Sequence, residues 1–346
     1  LQEYNLYLFL LGVFMKRFAP SILLSFVVAP SLFGCSLIKS FSSSNVTNSE
    51  LERVGKDVPA AQLGDVPLTE NPNAALGLPK NLTKVSEILI SRAEYVLSYN
   101  PKNRGVNWAA WRLTANDIGQ GRTGRWEFDP ALGEYLHKFS ADPVDFPDYK
   151  GSCFDRGHMV PSGDRNKNPE MNKATFFLSN VLPQTGYINR VPWNHFEMHE
   201  RSMVSANRPE LFIYSGPIFE EDLGYIGPQK DIRIPSAFFK VILSKKLGVD
   251  SSVADSELPM AVIMPNVLSD GQKANANQEK LCAEFADSSL GDRSAPQDDW
   301  KKYVTTIAEV ERRSGFDIPD VDALAPVSAV PASPTPVAPS PATSVQ

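Results

Sequence analysis

Asp155-Arg156-Gly157-His158-Met159-Val160-Pro161-Ser162-Gly163-Asp164-Arg165 is the densest polar cluster of a chain of 346 residues. An unperturbed histidine titrates near neutrality and a neighbouring acceptor can fix its tautomer, which makes His158 a candidate general base. Arg156 keeps its charge and offers a planar fork suited to phosphate. An isolated histidine in such a stretch reads as a surface residue on a polar turn, but His158 is not isolated. Downstream come Ser179-Asn180, Pro183-Gln184, Asn189, Trp193, Glu197 and Arg201. The last four stand at intervals of four, so on a helix each is turned about 40° from the one before and they form a drifting stripe. Asn, Glu and Arg with a single Trp on one stripe mark either a polar site or a solvated face. Asn189, at its start, is either an oxygen ligand for a metal or a helix cap.

The elements that must position these groups can be read from periodicity. In 94–99, Tyr95, Leu97 and Tyr99 share a face; in 108–113, Trp108, Ala110 and Arg112 alternate against Ala109, Trp111 and Leu113. Both read as strands, as do 175–182, 211–215, 238–243 and 260–264. Helices are expected over about 189–206 and 297–313, the second stopped by Ser314-Gly315. Strands outnumber helices, and few connections hold a crossover helix long enough for parallel pairing. The class is α+β, with a mainly antiparallel central sheet flanked by helices.

Taken together, Asp-Arg-Gly-His, Ser-Asn, Pro-Gln and the Asn, Trp, Glu, Arg series resemble the DNA/RNA non-specific endonuclease family, which includes secreted bacterial nucleases and mitochondrial endonuclease G. The likeness extends from about Tyr95 to Ile318, including Gly216-Pro217-Ile218-Phe219 and Ile234-Pro235-Ser236. The resemblance implies a ββα-metal finger within the sheet and Mg2+-dependent hydrolysis of DNA and RNA to 5′-phosphate products, with Mn2+ able to substitute. It implies His158 as general base, Asn189 as the direct metal ligand and Glu197 as a holder of the metal's waters. Arg156 and Arg201 would add positive charge around the phosphate, Asn180 would orient the metal shell or the phosphate, and Gln184 would touch substrate. The family also uses an upstream arginine; Arg122 and Arg125 are both candidates, with Arg122 preferred. Phe176 stands where some relatives carry Asn.

A rival hydrolase reading starts from His195-Phe196-Glu197-Met198-His199, whose two histidines could share a zinc on one helix face. It lacks the glutamate directly after the first histidine and a third ligand. A non-enzymatic alternative is a lipid-anchored surface protein that keeps the nuclease fold to bind nucleic acid.

Met15-Lys16-Arg17, the uncharged run 18–34 and Cys35 read as an export signal, since the run is short for a bilayer span. Leu32-Phe33-Gly34-Cys35 resembles a bacterial lipobox, which implies lipidation of Cys35, although Phe33 is bulky for that motif. Met15 is the preferred start, with residues 1–14 as the alternative of a longer membrane anchor. Residues 36–84 read as a flexible tether, 85–320 as the endonuclease domain and 321–346 as a disordered Pro/Ala/Ser-rich tail. The protein would be exported from a bacterial cell and anchored on the periplasmic or outer face, or secreted. Cys153 and Cys282 are either a disulfide, which export permits, or two buried thiols. No zinc knuckle occurs. An inhibitor protein and the oligomeric state leave no mark in the sequence.

With 34 Lys and Arg against 40 Asp and Glu the net charge is −6, which argues against a broad basic platform for nucleic acid. Residues 1–220 sum to zero, however, so the acidity lies after them, away from the motif. Binding would rest on the metal and a few placed arginines.

Overall fold

The alternation along Gly105–Thr114 decides the architecture, because it gives one strand two buried faces. Ala109, Trp111 and Leu113 join one apolar cluster, while Trp108 and Ala110 join another on the opposite side. The sheet built around this strand therefore has to be covered on both faces.

The computed structural model describes residues 58–204, 210–244, 258–291 and 298–319. The export segment with Met15 and Cys35, residues 36–57 of the expected tether and the tail lie outside the described residues. The principal elements begin with β1 (Ala61–Gly64), β2 (Ile88–Ser91), β3 (Val96–Asn100), β4 (Gly105–Thr114) and α1 (Pro130–His137). Next come β5 (Asp155–His158), α2 (Pro169–Thr175), β6 (Val181–Gln184), the single turn α3 (Gly186–Ile188), a widened π turn (Asn189–Trp193) and α4 (Asn194–Met203). The chain continues through β7 (Glu210–Ile218), β8 (Ala237–Leu243), β9 (Met260–Pro265), α5 (Gln278–Ala286), β10 (Val304–Thr305) and α6 (Ile307–Ser314).

Eight strands form the main sheet in the order β1-β2-β3-β4-β7-β8-β9-β10. Every neighbouring pair is antiparallel except β1 with β2. The expected α+β class holds. One face carries the finger β5–β6, α3 and α4, with Ile188, Trp193 and Phe196 packed on Ala109, Trp111 and Phe238. The other face is covered by Leu76, Val85, Val310 and Phe316.

Four details differ from the sequence expectations. The tether does not extend to residue 84, because from residue 58 the chain is described as folded: Ala61 to Gly64 pair in register with Ile88 to Ser91, and Asn71 ties into Ser91 and Arg92. Residues 175–182 are not one strand; a tight turn at Leu178–Asn180 interrupts them, held by the Asn180 side chain. The helix placed at 189–206 starts earlier, since Thr185 caps it by accepting the N–H of Ile188. Asn189 is thus no cap; its own N–H already bonds the Thr185 carbonyl at 3.0 Å. The helix placed at 297–313 divides into a tight turn (Asp299–Tyr303), β10 and α6. Thr306 starts α6 by accepting the N–H of Glu309, and Gly315 ends it in the left-handed conformation at φ 77°.

Candidate active site

β5 and β6 are two short antiparallel strands whose register sets Asp155 against Gln184 and His158 against Val181. Period-two alternation turns Asp155 and Gly157 inward and leaves Arg156 and His158 partly exposed on the opposite face. Position 157 has to be glycine, because a Cβ there would come within 2.2 Å of Gln184 Oε1. Gln184 itself is fully buried. The expectation that it touches substrate is corrected: its side chain is buried against the inner side of Gly157.

The imidazole of His158 stands against Trp126, with ring centres 4.8 Å apart, and meets the edge of Phe176 at 5.1 Å. Its Nε2 is buried and has no hydrogen-bond partner among the described residues. Burial, and then the positive charge of Arg122, push the imidazole down to about 3 from its usual 6.5. The ring is therefore neutral near pH 7 and harder to protonate than a free imidazole. Arg122 lies over Phe176, 5.0 Å from the ring centre, and its charge acts on both His158 and Glu197. Arg125 is exposed. Of the two upstream arginines, Arg122 is the one shown acting on these two side chains. Arg156 is enclosed by three rings, at 4.4 Å from Phe146 and 5.6 Å from both Trp126 and Tyr149.

Asn189 donates Nδ2 to Asp155 Oδ2 at 2.9 Å. Arg190 grips the same carboxylate with Nε on Oδ2 (2.7 Å) and a terminal nitrogen on Oδ1 (2.6 Å). It also donates to the carbonyls of Phe285 and Asp287 where α5 ends. The disulfide Cys153–Cys282 joins the lead-in to β5 to the same helix, which decides between the two readings of those cysteines. Sequence reasoning left Asp155 and Arg190 without roles. Asp155 could have been found from its place in the motif; Arg190 carries no signal in sequence.

Glu197 and Arg201 sit one turn apart on α4 with 3.9 Å between their charged atoms. Burial lifts the Glu197 carboxyl above its usual range, and the charges of Lys240 and Arg201 hold back part of the rise. Arg201 donates to Asp164 Oδ1 at 2.9 Å, while Trp111 Nε1 occupies the other Asp164 oxygen at 2.9 Å. Burial works against the charged guanidinium, but Asp164, Glu197 and Glu200 hold it above its ordinary range. Beneath them Lys240 and Glu200, both wholly buried, pair at 3.0 Å. The Lys240 Nζ also lies 4.7 Å from the centre of the Trp193 ring. A lysine within Ala-Phe-Phe-Lys-Val-Ile-Leu was the legible sign of this pair.

Asn180 is fully buried; its Oδ1 accepts the N–H of Val160 and its Nδ2 donates to the carbonyls of Val160 and Thr175. The expectation that it orients a metal shell or phosphate is corrected, because these backbone bonds commit the amide to holding the chain after His158. The zinc reading also falls. His195 is buried and bonded through Nδ1 to Asp299 at 2.9 Å, and His199 stacks on Trp300. Among the described residues no group of three or more His, Cys, Asp or Glu could hold a metal ion. An ion here would be held by few protein groups. The Asp155 bond turns the Asn189 amide so that its carbonyl oxygen has no protein partner among the described residues, an oxygen of the kind a hard divalent cation accepts.

The family described as DNA/RNA non-specific endonuclease matches residues 73–322 of the chain, starting inside the segment expected to be tether. A nuclease of Nostoc sp. is 30% identical over 256 residues, covering 72% of this chain and 78% of that protein. Bovine mitochondrial endonuclease G is 30% identical over 187 residues, covering 51% of this chain and 60% of its own length. Among solved structures, a chain from the EndoG/EndoGI complex superposes with a TM-score of 0.51 at 22% identity, covering 73% of this chain and 91% of its own, a likeness of fold. With the finger, the neutral histidine and the Asn189, Glu197 and Arg201 series in place, the chain belongs to the DNA/RNA non-specific endonuclease family and is a nuclease.

Proposed function

We propose that the chain is a Mg2+-dependent endonuclease that cuts DNA and RNA with little sequence preference and leaves 5′-phosphate ends. The observation that carries this reading is His158 on the finger, its Nε2 without a partner among the described residues, followed by the helix that carries Asn189, Glu197 and Arg201. His158 takes a proton from the water that attacks phosphorus, a transfer that a neutral imidazole makes without first losing a proton. Arg122, Arg156 and Arg201 surround the phosphate, and Arg201 is kept charged and oriented by Asp164. Asn189 and Glu197 would hold the ion, Asn189 through its carbonyl oxygen and Glu197 through waters. Bound there, Mg2+ supplies positive charge to the phosphate and to the departing 3′ oxygen. None of these groups reads a base edge, which accounts for the low sequence preference. Mn2+ would substitute.

Plasmid nicking tests the reading. Wild-type protein should nick supercoiled DNA with Mg2+, stop in EDTA and lose nearly all activity as His158→Ala. A variant that cuts at the wild-type rate removes His158 from the role of base. Failure of the wild type with both metals supports the other reading, a lipid-anchored protein that binds nucleic acid without cutting it.

Export to an oxidising compartment, with a lipid on Cys35, belongs to the same proposal. The Cys153–Cys282 disulfide supports it, because such bonds persist outside the reducing cytosol. Intact mass of the native protein distinguishes lipidation, simple cleavage and an uncleaved anchor.

A further inference from the structure

Five large apolar side chains are exposed among the described residues, and two of them, Phe146 and Phe285, carry an arginine over the ring. The two differ in what the arginine is doing. Arg190, 5.9 Å from the Phe285 ring centre, is already held by Asp155 in a two-point grip. Arg156 belongs to the Asp-Arg-Gly-His motif, lies 4.4 Å from the Phe146 ring centre, and forms no ion pair among the described residues. Its guanidinium covers one face of Phe146, yet 48% of that residue remains exposed.

We propose that Phe146 is a stacking platform for a nucleobase of the substrate, one nucleotide away from the phosphate held by Arg156; the assignment rests on the endonuclease reading above. Three observations point to a base. The ring is continuous with the site, since Trp126 touches both Arg156 and His158. Asp145, next in sequence and bonded to the Phe146 N–H at 2.7 Å, places a carboxylate where a phosphate would be repelled and the uncharged face of a base would not. The backbone that carries the ring is also fixed in place: Phe146 opens a tight turn in which Asp145 and Asp148 cap each other's backbone, and Arg104 holds Asp148. Little freedom is lost when a base settles on it.

A stacked base adds binding without adding a sequence code, because every base presents a π face. The platform therefore fits an enzyme of low sequence preference better than any hydrogen-bonding base pocket would. It also requires a base that has left its neighbours, so it should favour single strands over intact duplex.

The test compares cleavage of a single-stranded oligodeoxynucleotide with that of the same strand carrying tetrahydrofuran abasic units throughout its cleavable stretch. Phe146→Ala should lower kcat/KM on the base-bearing strand about tenfold, mainly through KM, while the penalty collapses on the abasic strand. Phe146→Trp should restore the base-bearing activity. Equal loss on both strands, or no loss on either, overturns the proposal. Binding is read separately, in EDTA, from the emission of a 2-aminopurine oligonucleotide: the wild type should raise it as the base leaves its neighbours and Phe146→Ala should not. If the wild type cuts neither strand but the emission change depends on Phe146, the endonuclease reading fails and the platform stands. If it cuts both and the emission change is indifferent to Phe146, the reverse holds.

Discussion

Asn189 hands its amide nitrogen to Asp155 Oδ2 at 2.9 Å, so the orientation of the proposed metal ligand is set by a neighbour that touches no metal. Were the amide free to flip, its NH2 would face the ion half the time.

Removing that neighbour should therefore cost metal affinity. Asp155→Ala is expected to raise the Mg2+ concentration for half-maximal activity by roughly ten- to hundredfold, the usual range for groups that orient metal ligands. Arg190→Met should move it the same way by less, since Asp155 keeps the Asn189 bond. Calorimetric titration with Mn2+ gives the affinity independently of turnover. Unchanged affinity in Asp155→Ala would show that Asn189 is held by its backbone alone.

The depressed His158 makes a prediction about acid. A histidine in an unfolded chain takes up a proton near 6.5, whereas folded His158 resists down to about 3. Between those values the unfolded chain binds the extra proton, so stability falls as pH drops through this window. His158→Asn lacks that liability. Its Tm relative to wild type should improve on going from about pH 7.5 to about pH 4.5. A constant difference would mean that the folded imidazole protonates freely.

Lys240 and Glu200 are both wholly buried, which makes breaking the pair costlier than deleting it. Lys240→Met leaves a lone carboxyl and should cost about 3–5 kcal/mol in urea denaturation. Adding Glu200→Met should recover most of the loss. A double variant no better than the single would place the cost in lost packing around Trp193 instead.

The disulfide spans a sequence separation of 129 residues. Cys153→Ser with Cys282→Ser should lower stability by about 2–5 kcal/mol. Because Arg190 also ties β5 to α5, the same pair should raise the Mg2+ requirement of the protein that remains folded. Stability lost with no change in that requirement would separate the strap from the site.

What the sequence disclosed depended on how local the cause was. The strand pattern of Trp108 to Leu113 was legible because alternation is a property of consecutive residues, and the structure sorts those side chains onto two faces as expected. His158 and the Asn189 series were legible because spacing survives in sequence. Gln184 and Asn180 were misjudged, since a polar type says nothing about whether its amide faces a substrate or two backbone carbonyls. Arg190 was missed because its partners at 285 and 287 lie across the fold. The helix at 297–313 was misread because Thr306, a cap, sits inside a helical pattern.

Pro192 lies within the π turn and lacks the N–H that would have bonded the Ile188 carbonyl. A helix of 3.6 residues per turn overshoots by about 40° every four residues, so Asn189 and Glu197 would end about 80° out of phase. A turn closed by i→i+5 bonds takes more residues per revolution and gives back part of that angle. The proline thus works as a phase corrector: one missing donor retards the helix, and an amide and a carboxylate two turns apart stand closer in phase than a regular helix would leave them.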